Sequence, residues 1–514
     1  MQSSNLRVQT VRLPPPSLQN NTADAERLQA QLKDCFGIES IQIDIALLKT
    51  LSDKLRQWHY QARCVVLDDG RRGQLATIAD PRTDSVLAGV AVDIGTTRVV
   101  ARLVDLKSGT VLAEDAFDNP QIEVGPDILA RIHFADTSGG LAKLNHLIVD
   151  GINQAIDRLC RQVSIEITKV AILALAGNTA MTHLFLGLNP RWMIREPYIP
   201  AVNVPGIYKA SELGLKAGAH ACAYIFPNIG SYFGGDLIAG ILTAGIHRHE
   251  ETSILVDVGT NAEVVLGNKN WLIACAGAAG PALEGGVTRM GMMAAPGVID
   301  RVLIDALSDK WRIHTIENKK AVGICGSGLI DLAAQLFING MMDIRGKLQP
   351  AKCHKRCKTI DEITHLTVVA AKDAKGGRDL TISQVDLDSL IRSKAAMFTI
   401  LETITTTVGI SFKDLERFYV AGTFGAFIDP KAAITIGMLP DLELGRFKSI
   451  GNSCLAGATA VLTDRSLMAE ISTIRERITY MELNVNQDFM NRFSAAKFLP
   501  HTDTGRFPSV PVQA

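Results

Sequence analysis

Two similar α/β subdomains, preceded by a smaller α/β domain, are the architecture this sequence predicts, and three observations predict it. The first is the stretch Val90-Ala91-Val92-Asp93-Ile94-Gly95-Thr96-Thr97, an apolar run that ends in an aspartate, a glycine bend and two hydroxyls. It returns as the apolar run Val99 to Val104, so it reads as a hairpin. The second is that Ile254 to Leu266 repeats the pattern around Asp257 and Gly259, 164 positions later. That period is too long for a solenoid and suits two subdomains. The third is the set of strands that run into glycine turns, at Ala176 to Thr179, Gly323 to Gly328 and Phe418 to Gly425.

The chemistry follows from the residue types. Glycine lets backbone N–H groups approach an anion, threonine hydroxyls add donors, and a carboxylate can hold hydrated Mg²⁺. In the first hairpin these are Gly95, Thr96, Thr97 and Asp93; in the second they are Gly259, Thr260, Asn261 and Asp257. Two such hairpins facing each other could clamp a nucleotide's phosphates, with both aspartates near the metal. Either hairpin by itself also fits an ordinary strand turn.

The 514-residue chain suggests about three domains, and 47% apolar content is enough for substantial cores. Lys+Arg and Asp+Glu are both 53, so nothing points to a nucleic-acid or lipid-surface partner. The N-terminal stretch lacks a basic and apolar signal, and no apolar run approaches the roughly 18 residues of a membrane span. The protein is therefore read as soluble and cytoplasmic. Most of the nine cysteines sit in apolar contexts, as reduced core thiols do. Cys353 and Cys357 are close in sequence, but they lack the second pair that a zinc or iron–sulfur site needs.

Taken in order, residues 1–21 form a polar, proline-rich tail and 22–87 a small α/β domain. That domain has helices at Ala23 to Lys33, with Leu28 and Leu32 on one face, and at Ile43 to Arg56, carrying Leu47, Leu48, Leu51 and Leu55. Its strands are Ala62 to Leu67 and Gly73 to Ile78. The first lobe spans 88–250. Asp127 suits either the cap of the helix Ile128 to Phe134 or a catalytic role, and His183 reads as a packed side chain. Leu141 to Val163 is a long amphipathic helix, and Val170 to Leu175 a buried strand. The turn that follows, with Gly177 and Asn178, aims a helix N-terminus at whatever binds outside the sheet. Asp236 opens another helix, as a cap or a site carboxylate.

The second lobe spans 251–501. Glu284, the one charge among the small residues Ala276 to Gly286, is a candidate for positioning the metal or an attacking water, or else a cap. Gly326 and Ser327 begin an apolar helix in a turn that repeats the logic of Gly177. Residues 342–380 read as an insertion with a strand at Leu366 to Ala370, and Asp386 to Val408 as a long helix. Gly422, Thr423 and Gly425 form a turn whose glycines would let backbone lie against a purine. Residues 502–514 are a C-terminal tail.

This succession resembles the nucleotide-binding fold shared by acetate and sugar kinases, heat-shock chaperones and actin, a duplicated ribonuclease-H-like fold. More closely, the chain resembles the ATP-dependent reductive activators of corrinoid proteins. The matching stretches include Ala91 to Thr97, Asn119-Pro120-Gln121 with Gly125 and Asp127, Ala176 to Thr179, Asp257 to Leu266, Gly280 to Glu284 and Ala294 to Gly297. Gly323 to Leu332, Val420 to Gly425, Gln384, Asp386, Lys394-Ala395-Ala396, Tyr480 and Phe498-Leu499-Pro500-His501 match as well, so the likeness runs from about residue 8 to 501.

The resemblance implies an enzyme that returns a corrinoid cofactor from cobalt(II) to cobalt(I) in methyl-transfer metabolism, driven by ATP with Mg²⁺, and commonly dimeric. In that reading Asp93 and Asp257 hold the metal, Glu284 assists catalysis, Thr96, Thr97, Thr260 and Asn261 donate to phosphates, and Gly422, Thr423 and Gly425 line the adenosine. Gly177, Asn178, Gly326 and Ser327 are the connecting segments. The family usually carries a ferredoxin-like domain with four clustered cysteines before the small domain, and this sequence has no cysteine set for an iron–sulfur cluster. The electrons would then come from a separate ferredoxin-like protein, or direct reductase activity has been lost. Arg98 stands where a third threonine is usual, and Met293 where an arginine is usual. A small-molecule kinase of the same superfamily and a nucleotide-dependent binding protein without redox chemistry are the alternatives.

Overall fold

The computed structural model describes residues 5–68, 71–82, 86–259, 262–277, 290–305, 310–353, 355–422, 428–464, 466–483 and 487–511, and the strands and helices below are those of the described residues. They form two compact units. The first runs to Thr243 and takes in Ser453–Arg477; the second comprises Ala244–Asn452 and Ile478–Ala514. The segment 453–477, predicted inside the second lobe, thus packs with the first.

The first unit opens with a four-stranded sheet in the order β1-β3-β4-β2, from Asn5–Arg12 (β1), Ser40–Ile43 (β2), Gln61–Asp68 (β3) and Arg72–Ala79 (β4). Helices Asp24–Phe36 (α1) and Ile45–Gln57 (α2) bury Leu28, Leu32, Leu47, Leu51 and Leu55 in its core. Leu48 is 36% exposed, because only the i, i+4, i+8 row of α2 faces inward. Asn5–Arg12 departs from the predicted polar tail. It pairs antiparallel with β3 along its whole length, and Val11 is buried. Its apolar residues alternate with Arg7, Gln9 and Arg12, a pattern that a half-covered edge strand shares with a polar segment.

A six-stranded sheet follows, in the order β7-β6-β5-β8-β10-β9. Its strands are Ala88–Ile94 (β5), Arg98–Asp105 (β6), Val111–Asp118 (β7), Val170–Gly177 (β8), Gly206–Lys209 (β9) and Cys222–Ile225 (β10). The antiparallel meander β5–β6–β7 leads to β8 and β10, which lie parallel to β5. The long helix Gly140–Gln162 (α4) buries Leu144, Ile148, Ile152, Ile156 and Leu159 against it. Helix Ser453–Thr463 packs on β5, β6 and β8.

The second unit repeats that topology. Its six-stranded sheet has the order β21-β20-β11-β12-β13-β22, from Ser253–Val258 (β11), Ala262–Gly267 (β12), Leu272–Gly277 (β13), Arg417–Ala421 (β20), Phe447–Gly451 (β21) and Ile478–Tyr480 (β22). Read from the third meander strand, β13-β12-β11-β20-β21 matches β7-β6-β5-β8-β10 in order and in strand direction. The fold is therefore α/β, a duplicated ribonuclease-H-like unit preceded by a small α/β domain. Val298–Asp305 (β14), Lys310–Thr315 (β15) and Gly323–Ile324 (β16) make a separate sheet under helix Gly326–Ile338 (α7). Residues 342–380, read as an insertion with one strand, supply Cys357–Ile360 (β17) and Ile363–Val369 (β18), which pair with Leu380–Ser383 (β19). Among the described residues no helix is long and apolar enough to cross a membrane.

Helix Gln384–Thr407 (α8) starts in a capping box between Ser383 and Asp386 and runs through the second unit's core. Its Lys394 is fully buried and donates to the carbonyl oxygens of Phe498 and Pro500, which fastens the C-terminal stretch. Beyond it Phe507 is buried against Phe398, so residues up to Val510 belong to the core. Replacing Lys394 with Ala removes a buried side chain and leaves two carbonyls unsatisfied, which is expected to lower stability by about 3 kcal/mol in urea unfolding. Proteolysis near Phe498 should accelerate in the same variant.

Asp331 on α7 is buried and accepts the Val302 backbone N–H at 2.6 Å. Desolvation pushes its carboxyl up to about 6, above the 3.8 of a free aspartate. The folded state therefore binds the extra proton between roughly pH 4 and 6, and this group's contribution falls as pH rises through that window. Asp331→Asn keeps the acceptor and removes the charge, so its stability relative to wild type should rise by about 2 kcal/mol between pH 4 and pH 8.

Candidate functional site

In the first unit Asp93 is the penultimate residue of β5, half-buried, across from Val100 on β6 and Ala176 on β8. The bend after it accepts only glycine at position 95, because a Cβ there would collide with the Arg98 carbonyl oxygen. Side chains from two other segments fix the bend. Asn119 donates through Nδ2 to the Gly95 carbonyl at 2.9 Å, and its backbone N–H donates to the Thr97 carbonyl at 2.8 Å. Asn178 donates through Nδ2 to Thr96 Oγ1 at 3.0 Å, which leaves the threonine proton available to another acceptor.

The Asn178 side-chain oxygen accepts from Met181 N and so caps Thr179–Leu186 (α5). The predicted residues Asp93, Gly95, Thr96, Gly177 and Asn178 thus form one constellation, with Thr97 on the same bend. Asp236 belongs to it as well, since a Cβ on the intervening Gly234 would strike both Asn178 Cα and Asp236 Oδ1. Asp236 lies in the first turn of helix Gly235–Ala244 and accepts from Leu237 N at 2.8 Å. Asp127 caps helix Ile128–Ala135 (α3), its Oδ1 accepting from Ala130 N. His183 is wholly buried, Nδ1 donating to the Thr179 carbonyl and Nε2 accepting from Ala201 N. Burial lowers its pKa. Asp127 thus makes the cap and His183 the packed contacts that their structural readings predict.

In the second unit Asp257 is the penultimate residue of β11 and pairs across to Ala421 on β20, the register that Asp93 has with Ala176. The correspondence continues one step on. A Cβ on Gly177 would lie 2.9 Å from the Ile94 carbonyl oxygen; one on Gly422 would lie 3.0 Å from the Val258 carbonyl oxygen and 3.0 Å from Asp257 Oδ1. Gly422 also takes a φ of +85°. It therefore occupies the place that Gly177 holds in the first unit.

The turn at Gly326 and Ser327, which the sequence pairs with Gly177, is built on the three-stranded sheet β15-β14-β16 instead. Ser327 is buried, with Oγ 3.1 Å from Cys325 Sγ. Spacing alone could not separate the two turns, because both run from a strand through glycine to a helical residue. Gly259 is half-buried after β11, while Thr260, Asn261, Glu284, Thr423 and Gly425 lie outside the described residues.

Three residues assigned no role from sequence enter the site. Asn119 and Gln121, both buried, brace the first bend, and Glu263 on β12 stands directly across from Asp257. Opposed residues of an antiparallel pair share a face, so the second hairpin presents two carboxylates on one side. The placing of Asp257 and Glu263 at matching positions on either side of residues 259–261 was a readable signal for that. Among the described residues no three His, Cys, Asp or Glu side chains gather as a metal site, and the nine cysteines are free thiols. Cys353 is buried, its Sγ near the Gln349 carbonyl.

Comparison with known proteins agrees with this architecture. Three family models match in succession: the RACo linker region at residues 2–85, the RACo middle region at 88–249, and the C-terminal domain of RACo, the ASKHA domain, at 251–511. The chain is 30% identical over 458 residues to the corrinoid activation enzyme RamQ of Eubacterium limosum, covering 88% of this chain and 76% of that protein. It is 25% identical to a [Co(II) methylated amine-specific corrinoid protein] reductase of Methanosarcina barkeri, covering 78% and 75%. A solved structure of a reductive activator for a corrinoid, iron–sulfur protein superposes with a TM-score of 0.89 at 36% identity, covering 99% of this chain and 81% of that one. With its linker, middle and ASKHA regions all matched, the chain belongs to the RACo family.

Proposed function

We propose that this protein is an ATP-dependent reductive activator of a corrinoid protein. One electron, delivered by a separate iron–sulfur protein, converts cobalt(II) of the partner's corrinoid to cobalt(I), and ATP binding and hydrolysis make that uphill transfer possible. The observation that carries the reading is the repeated register, in which an aspartate at a strand end and a glycine on the parallel neighbour recur in both six-stranded sheets. The names of the relatives add the substrate class.

In this proposal the Gly95–Thr97 bend and the Gly259–Asn261 turn donate to phosphate oxygens, while Gly422, Thr423 and Gly425 line the adenosine. Asp93 and Asp257 hold Mg²⁺ through water, which fits a hard cation bound by one or two carboxylates with its hydration largely kept. The metal neutralises charge on the transferring phosphoryl group. Glu284 is proposed to orient the attacking water. Hydrolysis then shifts the population between conformations that bind the corrinoid partner differently, since a ligand moves an equilibrium only through its differential affinity. A homodimer in the cytoplasm is part of the same proposal.

The test is a spectroscopic assay of cobalt(II) loss in a candidate corrinoid protein, with ATP, Mg²⁺ and a low-potential reductant. Wild type should produce cobalt(I) only with ATP, and Asp257→Ala should slow it on the order of a hundredfold, the scale for losing one element of charge stabilisation. Equal rates for the variant would remove the assigned role of Asp257. Phosphorylation of a small metabolite, with no effect on cobalt, would put the protein among the kinases instead.

A further inference from the structure

We infer that Arg131 serves the first phosphate-binding bend as a buried fixed cation, whose positive charge is matched by the anionic phosphates of a bound nucleotide. This rests on the nucleotide reading above and adds to it a residue outside the loops that touch ligand.

Arg131 lies on α3 and is fully buried, one of the largest side chains in the protein with no solvent contact. Its Nε donates to the Gly125 carbonyl at 2.9 Å, and Nη1 lies 3.3 Å from Gln121 Oε1 and 3.4 Å from Met181 Sδ. Its Nη2 is buried without an acceptor. Among the described residues no carboxylate lies within ion-pair distance of the guanidinium. The carboxylate that acts on it, Asp127, is exposed and accepts from Ala130 N. Desolvation lowers the guanidinium pKa to about 10, so the group stays charged at neutral pH.

A buried charge without a counterion is costly, and a fold retains one where something compensates it. The contacts of Arg131 lead to the bend on two sides. On one, Gln121 donates its backbone N–H to Asn119 Oδ1 at 3.0 Å, and Asn119 Nδ2 donates to the Gly95 carbonyl at 2.9 Å. On the other, Met181 belongs to the helix that Asn178 caps while holding Thr96. The buried guanidinium is therefore linked to the Gly95–Thr97 bend through Gln121 and Asn119 on one side and through Met181 on the other. Partners that are carbonyl, amide and thioether donate electron density but no charge, so they orient the cation and leave its field unneutralised. Low surrounding polarity lets that field reach the bend with less screening than a surface arginine's would have.

The test measures binding of ATP with Mg²⁺, and of adenosine, to wild type, R131Q and R131K by calorimetry. R131Q retains a hydrogen-bonding side chain without charge. Two unit charges about 10 Å apart in an effective dielectric near 20 interact by an energy that corresponds to roughly a tenfold change in Kd. ATP affinity is therefore expected to fall about tenfold in R131Q and to stay within about threefold of wild type in R131K, while adenosine binding is unchanged in both. Equal weakening of ATP and adenosine, or unchanged ATP binding by R131Q, overturns the inference and leaves the nucleotide reading intact. If R131Q does not fold, R131K decides it: an ATP loss beyond about tenfold with adenosine unaffected would show that the fork and not the charge matters, against the inference. Wild type without ATP affinity would remove both readings.

Discussion

A backbone-to-backbone approach on which the active geometry depends occurs twice in this protein. On one parallel strand pair Gly177 lies against the Ile94 carbonyl, and on the other Gly422 lies against the Val258 carbonyl. Each carbonyl belongs to the residue after an aspartate. A side chain on either glycine would push the neighbouring strand ends apart and move the carboxylate beside it. Parallel pairing fixes this only if the crossover returns in the right register, and in both sheets it does: Asp93 faces Ala176 and Asp257 faces Ala421. The helices that cover the sheets, α4 in the first unit and α8 in the second, supply the burial that holds those registers. Core packing and site geometry are in this sense one constraint.

The duplication was readable because hairpin and turn chemistry is local. Aspartate, glycine and hydroxyl between two apolar runs require no tertiary knowledge, and Asp93 to Thr97, Asp257 and Gly422 stand where that pattern points. Strand Asn5–Arg12 escaped for the opposite reason, since its partners on β3 are 49 to 63 residues distant and its own pattern is half polar. The turn at Gly326 looked equivalent to that at Gly177 because a strand, a glycine and a helix give the same string in either place. Only the sheet order shows that Gly422 holds the equivalent position, and sheet order is a property of long-range pairing. Arg131 escaped because nothing in its sequence neighbourhood distinguishes an arginine that turns inward from one on the solvent face of an amphipathic helix.

The segment 453–477 illustrates how sequence order and compactness diverge. Its helix Ser453–Thr463 presses on β5, β6 and β8, with Gly457 so close to the Ala239 backbone that a side chain would not fit, and Thr243 donates to the Ser453 carbonyl. A chain that leaves the first unit at Thr243 and returns at Ser453 crosses between units there. It crosses again after Arg477, where Ile478–Tyr480 adds an edge strand to the second sheet. Folding of the first unit's core therefore requires a helix synthesised some two hundred residues after the rest of it. A domain boundary drawn at 250 follows the family segments at 249 and 251 and still cuts through that dependence.

The two copies of the hairpin have also diverged in what faces the aspartate. Around the first, beside the carboxylates Asp93 and Asp236, Asn119 and Asn178 hold the bend and Arg131 is linked to it through Gln121 and Asn119. Opposite Asp93 stands Val100, which adds nothing polar. Around the second, Asp257 is faced by Glu263, a second carboxylate on the same side of the ladder. Like charges so placed repel unless a cation or donors compensate them. The residues that distinguish the two copies, Asn119, Asn178 and Arg131 against Glu263, lie outside the motif that the copies share.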